Sequence, residues 1–317
     1  MIQCFLGATL RSVVIKFDEE ESYMAHLFSS ITRLCPELED FQIQSVLEEP
    51  SLAYTAALSN LVSGLPKLRV LAITSWQPSE ELVAHLGSLP TLEEWAYFEL
   101  PDYPHPERLR SLDAFVNALL THPSAKSLST LAITETPTPD VTTNHHNAES
   151  VAFFLFRKFF KLPAIESLEL TVPILSSLDD SWLEEASSAW PRLSTLELRG
   201  EGPPMMTLQG LVPLLKNCAH LEHLRVSAVW KPFDTTGLRN CSNFKIQEMR
   251  IGNLVVAKPV VAVFRCLLLL FPVINEVVNQ APGASEDRRW MRLKTLIEES
   301  RGTNTGDEED GGGEATD

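Results

Sequence analysis

One short skeleton returns from end to end of this chain: an apolar residue, a proline, one variable residue, and then Leu-x-x-Leu-x-Leu. It is complete in Trp190-Pro191-Arg192-Leu193-Ser194-Thr195-Leu196-Glu197-Leu198, and Leu65-Pro66-Lys67-Leu68-Arg69-Val70-Leu71-Ala72-Ile73 is a second copy. Residues 35–43 and 162–170 read the same way. With the first leucine or its stand-in taken as an anchor, copies stand at Leu10, Leu38, Leu68, Leu92, Leu128, Ile165, Leu193, Leu221, Ile246 and Ile274. The steps between them are 28, 30, 24, 36, 37, 28, 28, 25 and 28 residues. A strand-length motif at such intervals confines the chain to a stack of like units. One unit has too little apolar surface to bury by itself; its neighbours in a stack supply the cover.

Within each copy the anchor and the third and fifth residues after it (+3 and +5) are apolar. The last two alternate with polar or small residues, which predicts a short strand buried on one face. Proline lies two residues before the anchor in six copies, at Pro36, Pro66, Pro90, Pro163, Pro191 and Pro272. It lacks an N–H and disfavours helix at the residue before it, so it ends the preceding helix and admits the strand. Apolar residues three and four apart predict helices over 20–34, 52–62, 79–86, 109–120, 150–160, 179–189, 208–216 and 259–270. Acidic runs at several of these starts, such as Glu19-Glu20-Glu21, Glu80-Glu81 and Asp179-Asp180, suit the partial positive charge there. The expected fold is α/β: a leucine-rich repeat solenoid of about ten irregular repeats, with a parallel sheet on the concave face and helices on the convex face. The expected domains are the solenoid over 1–284, a capping helix over 285–300, and a disordered acidic tail over 301–317.

Apolar residues make up 44% of the chain, enough for a continuous core. The formal charge is −16, of which the last sixteen residues supply −6, leaving −10 for the rest. That balance argues against nucleic acid or an anionic membrane as partner. Cys4, Cys35, Cys218, Cys241 and Cys266 are an odd, scattered set, some at repeat-core positions, which fits reduced thiols in a cytoplasmic or nuclear protein. The first residues have neither the basic stretch nor the apolar run of a signal peptide. Residues 255–278 are broken by Lys258, Pro259, Arg265 and Pro272, and read as a buried repeat helix rather than a membrane span. Almost nothing precedes the first strand, where an array ordinarily carries a polar cap, so a preceding module is missing from this chain or never existed. The loops at 101–108 and 135–147 are rich in Pro, Thr, Asn and His and read as mobile segments offering accessory contacts.

Cys218-Ala219-His220-Leu221-Glu222-His223 has the residue types of a metal site. Cys218, however, holds the pre-strand position that Leu65, Leu162 and Trp190 hold elsewhere, and no second cluster completes four ligands. Gly-rich phosphate loops, G-x-S-x-G and H-E-x-x-H are absent from the sequence. The expectation is a protein with no catalytic residues, metal or cofactor. The surface that the repeat singles out is the concave sheet face, onto which +2, +4 and +6 project if +3 and +5 face the core. The +4 column starts small or apolar (Val14, Gln42, Ala72, Ala96, Ala132) and turns charged (Glu169, Glu197, Arg225, Arg250). Arg199, His223, Glu248 and, earlier, Phe98 come from the flanking columns. These side chains are the candidate partner-binding residues, since solenoids recognise partners on such faces. The competing reading is that neighbouring strands merely pair opposite charges there. The expected partner is a protein, met by this chain as a monomer or as a member of a hetero-complex.

The runs Leu6-Gly7-Ala8-Thr9-Leu10-Arg11-Ser12-Val13, Leu34-Cys35-Pro36-Glu37-Leu38-Glu39, Trp190–Leu196 and Cys218–Leu224 resemble the leucine-rich repeat region of fungal, especially basidiomycete, F-box proteins. The resemblance spans about residues 1–279 and implies a ribonuclease-inhibitor-like horseshoe. It also implies a substrate receptor of a cullin-type ubiquitin ligase, in which the repeats hold the target. Two departures stand against a full match. No F-box sequence precedes the first repeat. The Asn or Cys of regular repeats is replaced eight residues after the anchor by Val46, Trp76, Thr136, Glu201 and Val229, so a less uniform curve is expected. The alternative is a stand-alone repeat scaffold unconnected to ubiquitination.

Overall fold

In a computed structural model of the chain, the strand begins two residues after every one of the ten anchors. The structure describes residues 6–17, 23–45, 51–74, 92–96, 99–100, 113, 116–117, 119–121, 123–135, 154–172, 175, 178–200, 205–229, 231, 235, 238–246, 248–251, 259–274, 276–279 and 288–302. The strands are β1 (Ser12–Phe17), β2 (Asp40–Ser45), β3 (Val70–Thr74), β4 (Glu94–Ala96), β5 (Glu99–Leu100), β6 (Thr130–Glu135), β7 (Ser167–Thr171), β8 (Thr195–Arg199), β9 (His223–Val226), β10 (Glu248–Ile251) and β11 (Glu276–Asn279). They form one parallel sheet in the order β1-β2-β3-β4-β6-β7-β8-β9-β10-β11, with β5 as an extra piece beside β6. Chain order is therefore spatial order. β5 is unforeseen: the irregular copy at Leu92 yields two short strands where one is expected.

Register is conserved along with order. Leu131, Leu168, Leu196, Leu224, Met249 and Val277, all at +3, are successive Cα partners, and Phe41, Leu71 and Trp95 continue the row on the other side. Leu71, Leu168, Leu196 and Leu224 are buried. β7 and β8 alternate buried and half-buried residues, as a sheet with one covered face requires.

Helices pack on that covered face. Helix α1 (Met24–Leu34) buries Met24, Leu27, Phe28 and Ile31, the spacing of one helical stripe. Helix α2 (Leu52–Ser63) follows, with Ser51 accepting from the Tyr54 N–H as its cap. Helix α3 (Asp180–Ala189) is capped by Asp179, which accepts from the Ser181 and Trp182 N–H groups, and it buries Trp182, Leu183 and Ala186. Helices α4 (Leu211–Asn217), α5 (Val260–Leu270) and α6 (Arg288–Gly302) follow, and α6 buries Trp290, Leu293 and Ile297. Within the helix expected over 109–120, residues 113, 116–117 and 119–121 are helical. Of the helix expected over 150–160, residues 154–157 are helical and pass into a 3-10 turn at Lys158–Lys161. Its Phe160 meets Trp182 and Trp190 at ring-centroid distances of 5.4 and 5.3 Å, closing an aromatic knot between units. Helix α6 runs two residues past the expected boundary at 300, and the segments 79–86 and 303–317 lie outside the described residues.

Two backbone devices repeat with the units. In the first, the carbonyl just after one anchor accepts two N–H groups from the next unit, at +1 and +2. Arg11 O takes Glu39 and Asp40, Glu166 O takes Ser194 and Thr195, and the same fork recurs at all seven junctions between Arg11 and His223, at 2.7–3.3 Å. In the second, the anchor N–H closes a turn onto the carbonyl three residues back (−3). Examples are Leu38 to Cys35, Leu68 to Leu65, Leu193 to Trp190 and Leu221 to Cys218. Proline fits inside this turn because its ring presets φ and its missing N–H is not called upon.

Candidate functional site

The −3 residue points into the stack and is fully buried in Cys35, Leu65, Leu162, Trp190, Cys218 and Phe271. In the seventh, eighth and ninth units it also donates. The Trp190 indole N–H reaches Leu162 O at 3.0 Å, and the Cys218 thiol reaches Trp190 O at 3.3 Å. Asn243 takes the position in the next unit: its amide donates to Leu221 O at 2.9 Å, while its carbonyl accepts from the Lys245 and Ile246 N–H groups. The polar column missing at +8 thus has a counterpart at −3, which the sequence reading did not foresee. Burial pushes the Cys218 thiol up to about 11, so it stays a neutral donor. His220 and His223 are exposed while Cys218 is not. Among the described residues, no group of three or more His, Cys, Asp or Glu side chains is placed to hold a metal ion.

On the opposite face of the sheet, β7, β8 and β9 bring four of the candidate residues together. Glu169, Glu197, His223 and Arg225, with Thr195 and the sheet backbone at Leu196 and Leu224, line a groove of about 310 Å³. Register sets the neighbours: Ala132 lies opposite Glu169, Glu169 opposite Glu197, and Glu197 opposite Arg225. Glu197 accepts from Arg225 Nη1 at 2.9 Å and also pairs with Arg199. The Arg225–Glu197 pair is largely shielded from water, the two side chains being 11% and 19% exposed. Glu169 makes no ion pair or side-chain hydrogen bond with any described residue. Its carboxyl is held above the usual range, first by burial and then by the Glu197 charge, with Arg199 opposing.

The remaining candidates fall differently. Arg250 is the register partner of Arg225 and Glu248 of Glu276, which fixes their strand positions; their side chains and the whole of Phe98 lie outside the described residues. The loops 101–108 and 136–147 lie outside them too. Ala72 and Ala132, expected to stand open on this face, are buried. A methyl group rises too little above the sheet to clear its neighbours, and the register partner of Ala132 is the longer Glu169.

No family model matches the chain, and neither does any curated protein. Among solved structures it is similar to one of a Rad7 and Elc1 complex in yeast, at 12% identity and a TM-score of 0.46, covering 92% of this chain and 75% of that one. It is also similar to the leucine-rich repeat-containing protein LegL7 from Legionella pneumophila, at 11% identity and 0.42, covering 90% and 97%. A TLR13–ssRNA13 complex matches at 11% and 0.29, covering 80% and 40%. Likenesses this distant carry no functional argument. No described helix is long and apolar enough to cross a membrane.

Proposed function

We propose that the chain is a non-catalytic protein-interaction module that holds a protein partner on the exposed face of its parallel sheet. The supporting observation is the groove over β7, β8 and β9, where charged side chains from three consecutive units converge on one concavity. Exposed sheet faces of repeat arrays present many side chains at fixed spacing, which suits them to extended protein surfaces. In this reading the array bends as a horseshoe of about ten repeats over 1–284, α6 closes its C-terminal end, and the acidic segment beyond Gly302, rather than from residue 301, is a disordered tail. The partner meets a monomer or a subunit of a hetero-complex, in cytoplasm or nucleus.

The test compares two variants in affinity capture from extracts. Glu169→Lys with His223→Glu alters the sheet face; Glu184→Lys with Arg265→Glu alters exposed helix positions. A captured protein lost only by the first variant, at matched thermal midpoints, is the expected result. Retention by both, or loss by the helix-face variant alone, overturns the reading. The narrower role, a substrate receptor in ubiquitin-ligase biology, rests on the sequence resemblance alone. It predicts that the captured partner is ubiquitinated in a cullin-dependent way; a partner whose modification ignores cullin inhibition favours the stand-alone scaffold.

A further inference from the structure

We propose that the groove seats a basic side chain, lysine or arginine, of the protein partner, with the Glu169 carboxylate as its anionic acceptor. This rests on the interaction-module reading and adds the chemistry of what is bound. Four observations carry it. First, the two carboxylates of the groove are not equivalent: Glu197 is engaged by Arg199 and Arg225, while Glu169 pairs with no described residue. Second, the lateral neighbours of Glu169 in the sheet are the Ala132 methyl and the Glu197 carboxylate, so neither flanking strand offers it a donor at that level. Third, the concavity opens beside it, with Thr195 and the backbone of Leu196 and Leu224 among its walls. A long basic side chain has a stem for such walls and a charged head for the carboxylate. Fourth, like charges opposite each other across strands repel, and an arriving cation relieves that repulsion. The raised protonation tendency of Glu169 agrees with a carboxylate short of positive company.

An anionic ligand is the less suitable occupant. Arg199 and Arg225 already have their charge balanced by Glu197, and an anion would face the Glu169 carboxylate besides. A purely apolar side chain would bury Glu169 without a partner, at the cost of its desolvation.

The experiment follows the Glu169 side-chain carboxyl by carbon-13 NMR in the full chain, assigned by its loss in Glu169→Gln. The probes are N-acetyl-arginine amide, N-acetyl-lysine amide and, as a neutral isostere of arginine, N-acetyl-citrulline amide. The expected result is a saturable shift at Glu169 with at least one cationic probe. Citrulline gives none, and Glu184 and Glu185, on the helix, do not move. No saturable shift with either cation overturns the inference, as does an equal shift with citrulline or at the helix glutamates. Sheet-face-dependent capture of a protein combined with a silent Glu169 would remove this inference and leave the interaction-module reading standing.

Discussion

The first four units and the units from the sixth to the eighth share one backbone plan. Both pair charges beside the anchors, as Arg192 with Glu166 at the rear, and only the rear charges the inner row as well. At the front, charge runs along the row just after the anchor, outside the sheet face. Arg11 pairs with Glu39, Glu39 with Arg69, and Arg69 with Glu93, while Lys67 pairs with Glu37. A hydrogen bond from Lys67 and its charge hold the Glu37 carboxyl below the usual range. The inner row there is Val14, Gln42 and Ala72. Further along, the inner row becomes Glu169, Glu197 and Arg225, and the buried −3 column acquires donors. The lesson is that the forked carbonyls and the leucine row set the stack, leaving the other rows free to differ. Solvated pairs run along both parts of the scaffold, and the rear adds the shielded pair of Arg225 and Glu197.

The largest expected effect checks the shared part. Leu196→Ala and Leu71→Ala each remove a fully buried +3 residue and should each cost about 2–5 kcal/mol in urea unfolding. A cost at Leu71 well below that at Leu196 would mean that the front is less tightly built than the common row implies. Next comes the −3 column. Asn243→Ala strands Leu221 O and two backbone N–H groups, and should cost about 3 kcal/mol. At the front, Leu65→Ile at the same position only reshapes apolar volume and should stay under about 1.5 kcal/mol. Comparable losses at the two positions would erase the distinction between a donor column and a purely apolar one.

The ion pairs sharpen the contrast further. Arg225→Met breaks a pair that is 11% and 19% exposed, yet leaves Glu197 its second partner Arg199, so about 1–2 kcal/mol should be lost. Arg69→Met breaks pairs whose side chains are about half exposed, and should leave the unfolding midpoint unchanged within error. The smallest effect concerns Glu169. Its folded pKa lies above its unfolded one, so the folded chain holds more protons across that interval, and the contribution of this group to stability falls as pH rises through it. Glu169→Gln should therefore stabilise the protein at neutral pH by a few tenths to about 1 kcal/mol. The gain should vanish once both states are protonated, as thermal melts across a pH series would register.

Much of this plan is legible in the sequence because the repeat acts on it directly. The anchors alone locate the start of every long strand, and the parity of +3 and +5 locates the buried row, since a strand turns its side chains over at each residue. The same parity puts Glu169, Glu197 and Arg225 side by side. What the sequence hides is decided between units. Nothing near Trp190 signals that its indole will meet a carbonyl 28 residues earlier, and Asn243 looks like a polar misfit in an apolar position until Leu221 O is seen above it. The burial of Ala72 and Ala132 depends likewise on the height of residues from other strands, and β5 on a pairing that no periodicity marks. An apolar stripe says which face is covered, and it does not tell the tighter 3-10 turn at Lys158–Lys161 from a last turn of α-helix.

The one-after-another ordering of the strands has a mechanical corollary. Apart from the short β5, each described strand between the two end strands pairs only with the two beside it, so a molecule gripped at its ends cannot share a load across the whole sheet. Under tension it should come apart from a terminus in discrete steps, the released length tracking the spacing of the anchors. A force–extension trace would then read out the repeat as a ruler, with its widest gradations where the sequence intervals are longest.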